Sequence, residues 1–69
     1  MYDKILKDSL ERSWVVTIIY QKGEKLTQRN IEVKSIEGNR ILAYCHLRRQ
    51  ARVFNLDHIL AADYFRKSG

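Results

Sequence analysis

The chain has 69 residues, of which 45% are hydrophobic and 30% charged, so it can form one small core and is too short for a second. Thirteen Lys and Arg residues against eight Asp and Glu give a formal net charge of +5, which favours anionic partners. The sequence contains no apolar run that could span a membrane and no apolar core of a secretory signal, so we expect a cytoplasmic protein without a membrane partner.

Cysteine and histidine are too sparse to indicate disulfide or metal chemistry. The single cysteine, Cys45, lies in an apolar run and fits a reducing compartment as a packed side chain. The two histidines, His46 and His58, are twelve positions apart and lack the clustered spacing of a zinc site. The sequence therefore predicts neither a metal site nor another cofactor.

The N-terminal segment has the spacing of a short amphipathic helix. Ile5, Leu6 and Leu10 fall on one side of a helical turn pattern, with basic residues on the other side. Asp3 can cap the first turn. The pattern predicts one helix over about residues 3–12, which would cover one open end of the structure that follows.

Short segments rich in β-branched and aromatic residues follow, separated by turn residues. Residues 14–20, WVVTIIY, predict the first strand, and residues 26–35, LTQRNIEVKS, alternate in polarity and predict a half-exposed second strand. The glycines at positions 23 and 38 mark the two tight turns that bound this second strand. The segment therefore predicts consecutive β-hairpins.

The second half of the chain continues the pattern of short strands. Residues 40–46, RILAYCH, predict a third strand buried on both faces, and residues 52–55, RVFN, predict a short fourth strand. The period then changes at LDHIL, which indicates a single helical turn, before AADYF gives a last short strand or extended tail.

The expected fold is mainly β, with four or five strongly bent antiparallel strands and one N-terminal α-helix in a single domain over residues 1–69. A highly curved sheet can close its own edges, so we expect a small Sm- or SH3-like barrel over about residues 14–66. A flat sheet packed on a helix is the alternative.

The sequence carries no motif of an enzyme. It has no glycine-rich phosphate loop and no strand-turn-helix around a serine nucleophile. Cys45 and His46 are neighbours on a predicted strand, so they point to opposite faces and cannot share a hydrogen bond. We expect a non-catalytic protein.

Basic and aromatic side chains are concentrated from the second to the fourth strand. The candidate ligand-binding residues are Arg29, Arg40, Tyr44, His46, Arg48 and Arg52. If the strands pair in sequence, Arg29 and Arg52 can approach one surface together with Tyr44 and His46. Guanidinium groups suit phosphates and stack on bases, and an aromatic or imidazole ring supplies a second stacking plane. The pattern thus indicates an anion or nucleotide site.

Several candidates also have ordinary structural roles. Arg48 is typical of a solvated turn, Tyr44 of a core position with a satisfied hydroxyl, and His46 of a strand end. Arg52 shares a face with Phe54 and is harder to explain in this way. It either pairs with a buried acid such as Glu32 or Asp57, or faces a cleft that holds an anion.

Three segments of the chain, VVTIIYQKG, TQRNIEV and GNRILAYCHLRRQARVFNLDHI, occur in an order that resembles the WYL domain over about residues 15–60. The stretch AYCHLRRQARVFNLDHI carries most of the resemblance. The sequence also departs from the family. The Trp and Tyr of the family's name fall on Asn39 and Arg40, the proline of its second segment is replaced by Val33, and the arginine of its last segment by His58.

The resemblance implies an Sm-like β-barrel of the kind that senses a ligand in bacterial or phage transcription regulators, through a basic surface for nucleic acid or nucleotide-like anions. Carried over by position, the implied ligand residues are Arg29, His46, Arg48 and Arg52, with Tyr44 and Arg40 beside them. Only about 13 residues precede the first predicted strand, too few for a helix-turn-helix. We therefore expect a free-standing or excised sensor domain, or a module that contacts another protein.

Two functions from different classes follow. The first is a binding module for single-stranded nucleic acid or a nucleotide, with arginines neutralising phosphates and an aromatic or histidine ring stacking a base. A small anionic metabolite is a further ligand within this class. The second is a protein-interaction or homo-oligomerisation module, because the edge strands of such sheets can pair with a neighbour's sheet and the arginines would then serve solubility.

Overall fold

The computed structural model describes residues 3–65, beginning with helix α1, Asp3–Arg12, at the bounds that the sequence predicts. Five strands follow in chain order: β1 Val16–Lys22, β2 Lys25–Glu37, β3 Arg40–Cys45, β4 Gln50–Asn55 and β5 Ile59–Tyr64. A single 3-10 turn, Leu56–His58, joins β4 to β5. Within the described residues, no helix has the length and hydrophobicity needed to cross a membrane.

The five strands form one antiparallel sheet in the order β4-β3-β2-β1-β5. The predicted mainly β fold with an N-terminal helix is confirmed. The sheet is not closed into the expected barrel, because β4 and β5 are its two edges and do not pair with each other in the described part of the chain. Side chains instead bring β4 close to β1. The rings of Tyr20 on β1 and Phe54 on β4 meet edge to face at 5.1 Å.

The sheet is nevertheless strongly curled. The N–H of Asn55 on β4 donates to the hydroxyl of Tyr20 on β1 at 3.4 Å, although β2 and β3 separate these strands. In a flat sheet, three strand spacings would hold the two backbones about 14 Å apart. Irregular pairing at Lys34 on β2 and at Ile19 on β1 contributes to the curl, because bulges bend a strand. An open seam between β1 and β4 results.

The core lies on the inner face of the curled sheet. Its fully buried apolar side chains come from every strand and from α1: Leu6, Val16, Ile18, Ile31, Val33, Ile41, Ala43, Phe54 and Ile59. β3 is buried on one face only, because Ala43 and Cys45 point inward while Leu42 is exposed, so the prediction of a strand buried on both faces was wrong. The outer face of the sheet is largely polar and exposed to solvent.

Helix α1 covers one end of the inner face, against β1, β2 and β5. The buried side chain of Ser9 fixes it there. The Ser9 hydroxyl donates to the carbonyl oxygen of Trp14 at 2.6 Å and accepts the N–H of Val33 at 2.9 Å. Since Val33 stands beside the irregularity in β2, this hydroxyl satisfies a backbone donor where the strand ladder is interrupted.

Substitution Ser9→Ala tests this attachment. It would leave a buried N–H and a carbonyl group without their partner, so we expect the free energy of unfolding to fall by about 1–3 kcal/mol. Urea unfolding followed by circular dichroism measures the change. The exposed helix substitution Lys7→Ala is the control and should stay within about 0.5 kcal/mol of the wild type. Equal stability of the two variants would contradict the role of Ser9.

Candidate functional site

Two of the predicted arginines face the inside of the sheet. Arg29 on β2 lies opposite Ile18 on β1, and Arg52 on β4 lies opposite Ala43 on β3. Because directly paired residues of neighbouring strands share a face, both arginines point to the same side as the core. They are half-buried and lie beyond the part of the inner face that α1 covers.

Arg29 and Arg52 line one cavity of about 160 Å³ at the seam between β1 and β4. The other lining residues are Tyr20, Lys22, Thr27, Val53 and Phe54. Three of the seven lining residues are cationic and none is acidic, so the cavity is a site of positive potential. Its volume equals about five water molecules and lies below the roughly 300–1,000 Å³ of ordinary ligand pockets. A phosphate-sized group fits there and a whole nucleotide does not.

Arg52 has neither of the acid partners that the sequence offers it. The carboxylate of Glu32 lies on the outer face and pairs with Lys34, and the carboxylate of Asp57 accepts a hydrogen bond from Asn39 at 2.7 Å. Within residues 3–65, no carboxylate lies within ion-pair distance of the Arg52 guanidinium. Of the two interpretations of this residue, the geometry favours the one in which it faces a cleft.

The positive charge of Arg29 also affects the pKa of a buried thiol, that of Cys45. Burial raises the pKa of Cys45, but the peptide N–H groups of Arg48 and Leu47 and the guanidinium of Arg29 outweigh burial, so that the pKa of Cys45 lies below its ordinary value. Cys45 itself is a buried side chain of the core. The sequence did not indicate the effect of Arg29 on this thiol, because it depends on how β2 and β3 are paired.

Tyr44 and His46 lie on the outer face of the sheet. Tyr44 is opposite Glu32 in the pairing of β2 with β3, and its ring meets that of His46 edge to face at 5.2 Å. The Nε2 atom of His46 is 3.9 Å from the Glu32 carboxylate. These two rings therefore do not share a surface with Arg29 and Arg52, and the expected convergence of all four residues was wrong. Their part in ligand binding stays a prediction.

The remaining candidates are also apart from the basic cavity. Arg48 is exposed in the four-residue turn between β3 and β4, and Arg40 is exposed at the start of β3. Arg40 lines a separate cavity of about 420 Å³ with Glu37, Leu42 and other residues of the outer face. An acid lines this second cavity, so it lacks the purely cationic character of the first.

Sequence reasoning missed five residues of the basic cavity: Tyr20, Lys22, Thr27, Val53 and Phe54. Tyr20 was assigned to a buried strand, and Thr27 is its direct partner on β2. The alternation along β1 places Tyr20 on the same face as Ile18, which was a usable signal. What the sequence could not reveal is that Phe54 closes the opposite wall across the seam.

These features define a small, open five-stranded β-domain with an N-terminal helix and a cationic cavity at the seam of its sheet. Among solved structures, the chain is similar to proteasome accessory factor B/C (PafBC) of Arthrobacter aurescens, with a TM-score of 0.83, 15% sequence identity and 96% of this chain covered. The match takes in 11% of that protein's chain, so this chain spans a small part of its length. At this identity the similarity shows the fold alone.

No protein-family model matches the chain, and no curated protein sequence matches it significantly. The fold is thus similar to that of one part of PafBC, while the two sequences differ at most positions. The residues that line the basic cavity must be judged on their own chemistry, because the comparison transfers no residue roles to them.

Substitution Arg29→Ala tests the effect of this arginine on the pKa of the Cys45 thiol. Loss of a cation that favours the thiolate should raise the pKa of Cys45. The ultraviolet absorbance of the thiolate, followed against pH, measures the change. Arg52→Ala is the matched control, because it removes a guanidinium from the same cavity and Arg52 does not contribute to the lowered pKa of Cys45. A pKa that moves equally in both variants would contradict the assignment.

Proposed function

We propose that the chain is a non-catalytic regulatory module that binds an anionic ligand, with single-stranded nucleic acid or a nucleotide as that ligand. The observation that carries the proposal is the basic cavity at the seam, which has three cations, no acid and two aromatic walls. An arginine held on the apolar face of a sheet without a carboxylate partner is costly unless water or an anion satisfies it. A phosphate group is the anion that this cavity suits best.

The donors around the cavity match a phosphate. Arg29 and Arg52 present guanidinium forks, which bind phosphate oxygens in pairs. The N–H of Asn55 points away from β3, toward Tyr20, and peptide groups alternate along a strand. The N–H of Val53, two residues earlier, therefore also points toward the seam, and would add a neutral donor to the two charged ones.

The size of the cavity sets how a ligand would bind. Because a whole nucleotide exceeds about 160 Å³, one phosphate would enter while the sugar and base stay outside. Affinity would then come mainly from charge and depend steeply on salt, as it does for proteins that bind single strands through their phosphates. Sequence preference would be weak, since this cavity would not contact base edges.

Two likenesses support a regulatory role. The sequence resembles the WYL domain of bacterial and phage transcription regulators, and the fold is similar to part of a protein named as a proteasome accessory factor. Both names describe proteins that control or assist other macromolecules. Regulation of transcription is the setting that we propose, with ligand binding as the contribution of this module.

Titration of fluorescently labelled DNA and RNA oligonucleotides, followed by anisotropy at two salt concentrations, tests the proposal. Arg52→Ala should weaken binding about 10-fold or more, because it removes a charged hydrogen bond to phosphate. It should also reduce the slope of log affinity against log salt by about one. Lys34→Ala is the matched control, since it removes the same charge from the outer face.

Two results would contradict the proposal. Absence of binding by the wild type at low salt would exclude an oligonucleotide ligand. Equal losses in Arg52→Ala and Lys34→Ala would indicate diffuse attraction by the net charge instead of a cavity. The substitutions Arg40→Ala and His46→Ala extend the test to candidates on the outer face, where we expect effects close to that of Lys34→Ala.

A protein-interaction module is the second candidate function. The observation that favours it is that β4 and β5 form the two edges of the sheet within residues 3–65, with Val53 on β4 61% exposed. Such an edge can accept a strand from another chain. Light scattering during size exclusion distinguishes the candidates. A salt-insensitive oligomer that dissociates in the Val53→Lys variant would favour this function. A monomer that binds oligonucleotides would favour the anion-binding module.

A further inference from the structure

A third cavity, of about 380 Å³, lies at the junction of α1 and β1. It is lined by Ser13, Trp14, Val15, Tyr64 and Phe65. Three of these five residues are aromatic, and the volume falls within the roughly 300–1,000 Å³ of ordinary ligand pockets. This aromatic cavity therefore differs from the basic cavity in both size and chemistry.

The aromatic walls are held in place by the protein itself. The Trp14 ring meets the Tyr64 ring edge to face at 5.9 Å, and the guanidinium carbon of Arg12 lies 5.0 Å from the Trp14 ring centroid. The Tyr64 hydroxyl donates to the Asp8 carboxylate at 2.6 Å, which raises the pKa of Tyr64 and lowers that of Asp8. Near neutral pH, Tyr64 therefore stays protonated as the donor and Asp8 stays ionised as the acceptor.

Despite this support, the aromatic surface is open to solvent. Trp14 remains 46% exposed and Phe65 45% exposed. The peptide N–H of Phe65 donates to the carbonyl oxygen of Val15 at 3.1 Å, so the backbone on both sides of the cavity is tied together. An ordered, exposed tryptophan is a ready surface for a flat ring, because little conformational freedom remains to be lost on binding.

We propose that the aromatic cavity binds a nucleobase by stacking on Trp14, an inference that rests on the proposed function. Every base presents a π-face to an aromatic platform, whatever the sequence. The guanidinium of Arg12 lies over one face of the ring, so a base would stack on the other face. This cation and the net charge of +5 favour an anionic polymer that carries planar rings over an uncharged apolar peptide. The basic cavity takes phosphate, and the aromatic cavity takes a base.

The distance between the two cavities limits the ligand. Trp14 precedes Tyr20 by six positions, which corresponds to about 20 Å along an extended chain. An oligonucleotide that reaches both cavities must therefore contain several nucleotides. A mononucleotide would reach only one cavity, so its affinity should lack the contribution of the other.

Trp14 is the single tryptophan of the chain, so its intrinsic fluorescence reports directly on this cavity. We expect unlabelled oligothymidylate to quench the Trp14 emission over the same concentration range in which a labelled oligonucleotide gains anisotropy. Phe65→Ala keeps the reporter and should weaken binding about 5-fold or more, with a smaller quench. Leu26→Ala, which truncates a side chain that is 61% exposed on β2, is the matched control and should leave both signals unchanged.

Titration with adenosine, which carries no phosphate, separates the two proposals. If adenosine quenches Trp14 and Phe65→Ala reduces this quenching, the result supports stacking. If in addition no oligonucleotide binds, the proposed function is overturned and the stacking site is not. Oligonucleotide binding by anisotropy with no change in Trp14 emission would overturn the stacking site and leave the proposed function standing. Emission that changes with protein concentration alone would assign the cavity to a second copy of the chain and overturn the inference.

Discussion

The side chain of Tyr20 joins two parts of the sheet that backbone hydrogen bonds leave apart. Its hydroxyl accepts the N–H of Asn55 at 3.4 Å, and its ring packs edge to face on Phe54. Because no ladder connects β4 to β1 or β5 in the described residues, these contacts define the width of the seam. The basic cavity lies in this gap because side chains bridge it. In a closed barrel, hydrogen-bonded strands would fill the same space. Arg29 and Arg52 gain access to solvent through the gap.

The same seam explains why two arginines can occupy the core face of so small a domain. A guanidinium surrounded by apolar side chains would carry a large desolvation cost, whereas one at an open cavity keeps part of its hydration. Neither Arg29 nor Arg52 has a carboxylate within ion-pair distance in residues 3–65. A bound anion would therefore stabilise the folded state as well as satisfy these donors.

The sequence predicts the parts of this structure that depend on local pattern. Helix α1 has its predicted bounds because its apolar spacing is a local pattern, and alternation along β4 correctly placed Arg52 with Phe54. The grouping of Tyr44 and His46 with the inward arginines was wrong, because it required the pairing of three strands. An irregularity such as the one at Lys34 shifts that pairing, and no short stretch of sequence encodes it. Closure of the barrel likewise depends on the whole sheet, so the local sequence pattern could not predict that the sheet stays open.

The two cavities depend on different contacts, although β1 runs between them. The basic cavity follows from the curl of the sheet and the packing of Tyr20 on Phe54. The aromatic cavity follows from the attachment of α1, because Ser9 bonds the carbonyl of Trp14 and Asp8, on the same helix, bonds Tyr64. Loss of these two contacts would therefore disorganise the stacking surface without removing the packing of Tyr20 on Phe54 that bounds the basic cavity. A ligand that spans both cavities would couple the attachment of α1 to the geometry of the seam. Binding at one end of the sheet would then change the structure at the other end.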